Sequence, residues 1–241
     1  MAKGTLVIFH GWTRSHDRWQ LLIKKVQAYG YQVVYLVLPG FGGQDLDRPW
    51  QLDDYVSWVT EELKLKKIKR FFLLGHSNGG RIGLALAAQK PLGLRGLILV
   101  DSAGIRTRSS IKTGLFWVAA KIGKKVLALP GLSCMRGLAR YGLYRLARER
   151  DYLEAPEHLA QTMKGLIRTD LTGKMKRVPV PTLLVWGGQD TTTPLGDALR
   201  LYRANPQSRL TVFPQAAHAL PYRYPEQLAL EINLFIQSCR P

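Results

Sequence analysis

The stretch that decides the fold reads FFLLGHSNGGR and runs from Phe71 to Arg81. Four apolar residues, typical of a buried strand, lead into Gly-x-Ser-x-Gly and then into a helical pattern. A serine on such a sharp turn takes a strained backbone conformation, and side chains two residues before and after it would collide. Gly75 and Gly79 avoid that collision. The stretch therefore predicts Ser77 as a nucleophile, and the alternative is a glycine-rich turn with an incidental serine.

Short apolar runs of the same form recur along the chain and predict six strands. They are Thr5–Phe9, Gln32–Leu38, Phe71–Leu74, Leu97–Val100, Thr182–Trp186 and Leu210–Phe213. Helical patterns lie near 16–29, 53–67, 79–90, 194–204 and 225–238. Near-continuous apolar strands separated by helices indicate a parallel sheet that is buried on both sides. The predicted fold class is α/β, with a mostly parallel six-stranded sheet covered by helices on both faces.

The alternation of strands and helices stops between about residues 103 and 178. This part has no clear strand, but it contains amphipathic helical runs interrupted by glycine and proline. A structureless loop of roughly 75 residues would be unusual inside a compact domain. We therefore predict a helical cap over 103–178, inserted into a core made of 1–102 and 179–241.

Two further polar residues follow predicted strands and suit a serine nucleophile. Asp190 ends the sequence WGGQD after the fifth strand, and His218 ends FPQAAH after the sixth. A nucleophilic serine needs a base to take its proton and an acid to orient that base. Ser77, Asp190 and His218 occur in that functional order, which predicts a catalytic triad. Taken singly, Asp190 could cap a turn and His218 could lie in a surface loop; Asp101, after the fourth strand, is a second candidate acid.

Together these motifs resemble the α/β-hydrolase fold superfamily over residues 4–101 and 180–238. His10-Gly11-Trp12 is similar to the turn after a core strand in that family. The resemblance implies that the backbone N–H groups of Trp12 and Asn78 form an oxyanion hole. It also implies a trimmed sheet, because the chain begins where the third of eight strands would stand.

The resemblance narrows the chemistry, since members that act on halides and epoxides carry aspartate where this chain has Ser77. It implies a serine hydrolase that cleaves a carboxylic ester or related acyl bond through an acyl-enzyme, with no cofactor and no metal. Two alternatives stay open. One is hydrolysis of a carbon–carbon bond, and the other is a non-catalytic binding protein that uses the cap.

Three other polar residues near these motifs receive structural interpretations. His10 is expected to stabilise its turn, and His76, directly before Ser77, is expected to be packed rather than catalytic. Arg81, in the first helical turn after Ser77, is expected to pair with a neighbouring carboxylate, and the alternative is that it borders the pocket.

Composition places the chain among cytoplasmic proteins. It has 241 residues, of which 46% are hydrophobic. No run approaches the eighteen or more apolar residues of a membrane span. Met1–Gly4 leads at once into a predicted strand, so we expect no signal peptide. Cys134 and Cys239 are the two cysteines, and they indicate neither a zinc site nor a disulfide framework, although a single bridge stays possible.

The chain is strongly basic, with a formal net charge of +18 and a pI of about 10.2. Residues 103–178 hold sixteen basic and five acidic side chains, which leaves +11. A basic cap would attract an anionic substrate or an anionic membrane surface. A solvated basic face is the alternative. Nucleic acid is an unlikely partner, because no binding motif accompanies the charge, and the oligomeric state stays open.

Overall fold

Six strands form one sheet in the structure, a computed structural model that describes residues 3–13, 16–105 and 156–239. The strands are β1 (Thr5–Phe9), β2 (Gln32–Leu36), β3 (Phe71–His76), β4 (Leu94–Val100), β5 (Thr182–Gly187) and β6 (Arg209–Phe213). Their order across the sheet is β2-β1-β3-β4-β5-β6, and every neighbouring pair is parallel. The predicted six-stranded α/β sheet is confirmed.

Helices connect the strands, as a parallel sheet requires. They are α1 (Gln20–Ala28, preceded by a 3₁₀ turn at Asp17–Trp19), α2 (Leu52–Leu65), α3 (Asn78–Ala87), α4 (Glu157–Leu166), α5 (Thr172–Met175), α6 (Leu195–Ala204), α7 (Leu220–Arg223) and α8 (Pro225–Ser238). Among these helices, none is long and apolar enough to cross a membrane.

Apolar side chains cover both faces of the sheet, because successive residues of a strand point to opposite sides. Val7 and Phe9 of β1 face one core with residues of α2, α3 and α6. Leu6 and Ile8 face a second core with residues of α1 and α8. The sheet is thus fixed from both sides, and the carboxyl ends of its strands share one edge. In open α/β sheets, that edge is where ligands bind.

Five of the six strands differ from the sequence prediction at one boundary. β4 begins three residues earlier, at Leu94, and β5 and β6 are each longer by one residue, at Gly187 and Arg209. The differences in β2 and β3 have local reasons. β2 ends at Leu36 rather than Leu38, since the Leu38 N–H turns away and donates to His10 Nε2 at 3.0 Å. β3 continues beyond Leu74 to His76, because Gly75 and His76 still pair with β4.

The described end of the predicted cap packs on the sheet core. Leu159 and Leu166 of α4 and Met175 of α5 are buried in the core cluster that contains α2 and α3. The Leu171 N–H donates to the Gly104 carbonyl at 2.7 Å, which ties the two ends of the 103–178 insertion together. Residues 106–155, which make up most of the predicted cap, lie outside the described residues. The domain division stays a prediction.

Candidate active site

The turn between β3 and α3 holds Ser77 in a backbone conformation that is unusual for serine, with φ 52° and ψ −118°. Main-chain hydrogen bonds fix it: its N–H donates to Val100 O at 3.1 Å, and its carbonyl accepts from Gly80 N at 3.0 Å. A Cβ at Gly75 would lie 2.6 Å from Gly80 Cα. Glycine is therefore required there, for the steric reason inferred from the sequence.

Ser77, His218 and Asp190 meet at the carboxyl ends of β3, β6 and β5. Ser77 Oγ lies 2.9 Å from His218 Nε2. On the other side of the ring, His218 Nδ1 lies 2.7 Å from Asp190 Oδ2. The Asp190 side chain is fully buried, whereas that of His218 is 24% exposed. The structure thus brings the three predicted triad residues into one hydrogen-bonded chain.

The carboxylate of Asp190 is held by its own loop. Its Oδ1 accepts backbone N–H groups of Thr192 at 2.7 Å and Thr193 at 3.0 Å, and its Oδ2 accepts the Thr193 hydroxyl at 2.7 Å. Burial raises the pKa of Asp190, but hydrogen bonds from His218 and Thr193 outweigh it and hold the pKa below its usual value. An ionised Asp190 keeps the ring proton on Nδ1, which leaves Nε2 of His218 free to accept the Ser77 proton.

Thr193 was missed by the sequence reasoning, although it contacts both Asp190 and His218. Its hydroxyl lies 3.2 Å from His218 Nδ1 as well as within hydrogen-bonding distance of Asp190. The signal was the run Thr191-Thr192-Thr193 after the acid, since threonine side chains and loop amides are common carboxylate partners.

The turn at His10–Trp12 packs directly on Ser77. A Cβ at Gly11 would lie 2.9 Å from both Ser77 Cβ and His76 Nδ1, so no larger residue fits between the two turns. Asn78 is the first residue of α3, where backbone N–H groups have no partner inside the helix. Within the described ranges, the backbone N–H groups of Trp12 and Asn78 donate to no main-chain oxygen. The oxyanion hole formed by the N–H groups of Trp12 and Asn78 stays a prediction.

His10 stabilises its turn, as expected. Its Nε2 accepts the Leu38 N–H, and its Nδ1 lies 2.6 Å from Gly11 O, to which it donates in that tautomer. Burial lowers the pKa of His10 to about 4, so the ring is neutral at pH 7.

His76 is packed rather than placed to react. Its ring contacts Trp19, Tyr222 and His218, and burial holds its pKa well below the usual value. No hydrogen-bond partner for either ring nitrogen lies among the described residues.

Asp101, the second candidate acid, is fully buried beside the triad. Its Oδ1 accepts the Gly187 N–H at 2.8 Å. Burial, and to a smaller extent the nearby Asp190, raise its pKa to about 7 against the opposing effect of the Gly187 hydrogen bond. The carboxylate that contacts His218 is that of Asp190. Of the two candidate acids, the geometry favours Asp190.

One group of side chains in the described structure could supply ligands to a metal ion. His76, Asp101 and His218 each place a potential ligand atom within 4.8 Å of the others. Both ring nitrogens of His218, however, are engaged by Asp190 and Ser77. A metal ion bound here would therefore compete with the hydrogen-bonded triad.

Arg81 differs from its interpretation as the partner of a carboxylate. Its side chain is buried, and Nη1 donates to the side-chain oxygen of Asn78 at 2.7 Å. Among the described residues, no carboxylate pairs with it. Asn78 and Arg81 are three residues apart on one helix, so their contact follows from the helical spacing.

Known proteins similar to this chain include named hydrolases. A pimeloyl-[acyl-carrier protein] methyl ester esterase of Nitrosomonas europaea is 27% identical, over 92% of this chain and 91% of that protein. A 2-hydroxy-6-oxononadienedioate/2-hydroxy-6-oxononatrienedioate hydrolase of Comamonas testosteroni is 25% identical, over 88% of this chain and 80% of that protein. Among solved structures, a membrane phospholipase A superposes with a TM-score of 0.76 at 22% identity, over 98% of this chain and 79% of that one.

The family comparison agrees with the sheet order and with the turn that carries Ser77. The sequence model described as alpha/beta hydrolase fold matches residues 4–222, which is nearly the whole chain. The chain is an enzyme of the alpha/beta hydrolase fold family.

Proposed function

We propose that this enzyme is a serine hydrolase that cleaves a carboxylic ester or a related acyl bond through an acyl-enzyme. The observation that carries the proposal is the continuous hydrogen-bonded chain from Ser77 Oγ through His218 to Asp190, with distances of 2.9 and 2.7 Å. A binding protein would need neither of these two contacts. The buried, ionised Asp190 further supports the proposal, since it fixes the tautomer in which His218 acts as a base.

Acylation begins when Ser77 Oγ attacks the carbonyl carbon and its proton moves to His218 Nε2. Negative charge develops on the carbonyl oxygen, where the N–H groups of Trp12 and Asn78 would donate to it. His218 then gives its proton to the leaving alkoxide oxygen as the carbon–oxygen bond breaks. Ser77 is left esterified to the acyl group.

Deacylation repeats the sequence with water as the nucleophile. His218 takes a proton from water, and the hydroxide attacks the acyl carbon of the Ser77 ester. When this second tetrahedral intermediate collapses, His218 returns the proton to Ser77 Oγ. The free enzyme and a carboxylic acid result.

A carbon–carbon bond hydrolase is the second candidate, because the Comamonas testosteroni relative carries such a name. The esterase candidate is favoured by the name of the Nitrosomonas europaea relative, which is slightly more similar. Two assays separate the candidates: a series of p-nitrophenyl esters of increasing acyl length, and a dienoic ketone substrate. An esterase hydrolyses the esters and leaves the ketone intact.

The proposal is tested by labelling with a fluorophosphonate probe, which reacts with activated serines. We expect the folded protein to be labelled at Ser77, and the Ser77→Ala variant to stay unlabelled while keeping its circular dichroism spectrum. If the folded wild-type protein did not react, the serine hydrolase proposal would fail, and a binding protein of this fold would be the better account. Contact of the basic cap with an anionic substrate or membrane surface, and the cytoplasmic location, stay predictions from the sequence.

A further inference from the structure

Two buried hydrogen-bond donors beside Ser77 have no acceptor in the described structure. They are Nδ2 of Asn78 and Nε of Arg81. The guanidinium can only donate, so the Asn78 atom that meets Nη1 at 2.7 Å must be the oxygen. The amide nitrogen of Asn78 therefore faces away from Arg81. The pair presents donors and a positive charge, without a matching acceptor.

Such a pair is costly to keep in a folded protein. Buried polar atoms are nearly always hydrogen-bonded, and buried charges are nearly always paired. Arg81 is 5% exposed and Asn78 is 1% exposed, so water replaces these missing partners poorly. Burial also lowers the pKa of Arg81 to about 10, which leaves the guanidinium charged at neutral pH. Unpaired donors at this position are consistent with a ligand that supplies the acceptor.

The pair lies beside the candidate nucleophile. Asn78 follows Ser77 directly, and both residues belong to the first turn of the ten-residue helix α3. The amino end of a helix adds a partial positive charge to the same place. The aliphatic part of the Arg81 side chain packs against Gly104, because a Cβ at Gly104 would lie 3.4 Å from both Cβ and Cγ of Arg81. Arg81 thus lies beside the start of the 103–178 insertion, whose sequence carries a net charge of +11.

A carboxylate is the acceptor that suits this arrangement. With Nη1 occupied by Asn78, the guanidinium still offers its Nε–Nη2 edge, and no hydrogen bond from that edge reaches a described residue. Two parallel N–H donors on one edge match the two oxygens of a carboxylate. The Asn78 amide adds a further donor.

We propose that Arg81 and Asn78 bind a free carboxylate on the acyl group of the substrate, so that monoesters of dicarboxylic acids are preferred over neutral esters. This inference rests on the proposed serine hydrolase function. Ser77 attacks the ester carbonyl at one end of the acyl chain, while Arg81 holds the carboxylate at the other end. The carboxylate takes no part in bond making or breaking, and its binding fixes the position of the ester carbonyl.

The test compares monoethyl esters of the diacids from succinate to suberate with the ethyl ester in which a methyl group replaces each carboxylate. Monoethyl glutarate and ethyl pentanoate form one such pair. We expect the wild-type enzyme to favour the monoester by about tenfold or more in kcat/KM at its best chain length. Arg81→Gln should abolish that preference, and Arg81→Lys, which keeps the charge but loses the planar edge, should keep part of it.

Arg70→Gln is the matched control, because Arg70 is exposed before β3, at the opposite edge of the sheet from Ser77. It removes the same charge, and it should leave both rates and their ratio unchanged. Thermal unfolding gives a second readout. Removal of an uncompensated buried charge should raise the Tm in Arg81→Gln.

The outcomes separate this inference from the proposed function. If Ser77 is labelled and ethyl pentanoate is hydrolysed without any preference for a monoester, the carboxylate site is wrong and the serine hydrolase stands. If Arg81→Gln lowers the Tm and slows both esters equally, Arg81 is a structural clamp for Asn78, and the inference is overturned. If no ester is hydrolysed and Ser77 is not labelled, the proposed function itself fails.

Discussion

Replacing Asp190 by asparagine should prevent His218 from acting as the base of the proposed triad. The loop that holds residue 190 should stay undisturbed. Two backbone N–H groups, of Thr192 and Thr193, donate to Oδ1, so the asparagine oxygen must stay on that side. The asparagine NH₂ then faces His218 Nδ1, at the position where Oδ2 now lies 2.7 Å away. Because that group donates, Nδ1 must accept, and the ring proton moves to Nε2, which faces Ser77. In that tautomer His218 cannot take the serine proton.

The expected loss in kcat is on the order of 10⁴, the magnitude known for an acid-to-amide change in a serine protease triad. Stability should change little, since the asparagine oxygen still accepts both loop amides. By contrast, Asp190→Ala leaves those amides unpaired and should lower the free energy of unfolding by about 1–3 kcal/mol for each of them.

The assay is hydrolysis of p-nitrophenyl butyrate, measured together with thermal unfolding. The matched control is Asp101→Asn, which changes the other buried acid. Retention of activity within tenfold in Asp190→Asn, or loss of activity only in Asp101→Asn, would refute the assignment of the acid.

Asp101→Asn should stabilise the protein in a pH-dependent way. Folding raises the pKa of Asp101 from 3.8 to about 7, so its contribution to stability is present at low pH and is lost as the pH rises through about 7. The asparagine variant does not lose stability in this way. In urea unfolding, its free energy of unfolding should exceed that of the wild-type protein by an amount that grows from pH 4 to pH 7, to a ceiling on the order of 4 kcal/mol. A constant difference between the two proteins across that range would contradict the argument. Gly11→Ala places a Cβ 2.9 Å from Ser77 Cβ and His76 Nδ1. It should lower the free energy of unfolding by about 1–3 kcal/mol through overpacking, measured by urea unfolding. It should also lower kcat for p-nitrophenyl butyrate by about 10²-fold through displacement of Ser77. Wild-type kcat in a folded variant would contradict the second expectation.

Sequence reasoning found the sheet because its strands are nearly continuous apolar runs. β3 and β5 are buried at every residue, which makes their pattern unmistakable. The catalytic candidates followed from strand ends, where Ser77, Asp190 and His218 each stand just beyond an apolar run. The short helix α7 was not predicted, because its four residues include Pro221 and are too few to show a helical period.

Partners of single side chains were harder to predict than elements. Thr193 supports Asp190 through a loop conformation that no periodicity describes. Arg81 was expected to meet a carboxylate, yet its described hydrogen bond is to Asn78, because the local helical spacing brings those two together. The choice between Asp190 and Asp101 as the acid also depended on the three-dimensional structure. Both follow strands, and only the loop geometry places one of them on His218.

The hydrogen bond between Ser77 and His218 joins residues 141 positions apart in the chain. Contacts between such distant residues form late, because a long loop must close before they contribute any stability. The turn that carries Ser77 lies between adjacent elements, and its described contacts are with β1, β4 and the residues directly after β4. The base and its acid arrive only when β5 and β6 join the edge of that sheet. A partly folded chain can therefore hold its serine in the strained conformation and still be chemically inert, so the ability to attack an acyl group would mark the completion of folding.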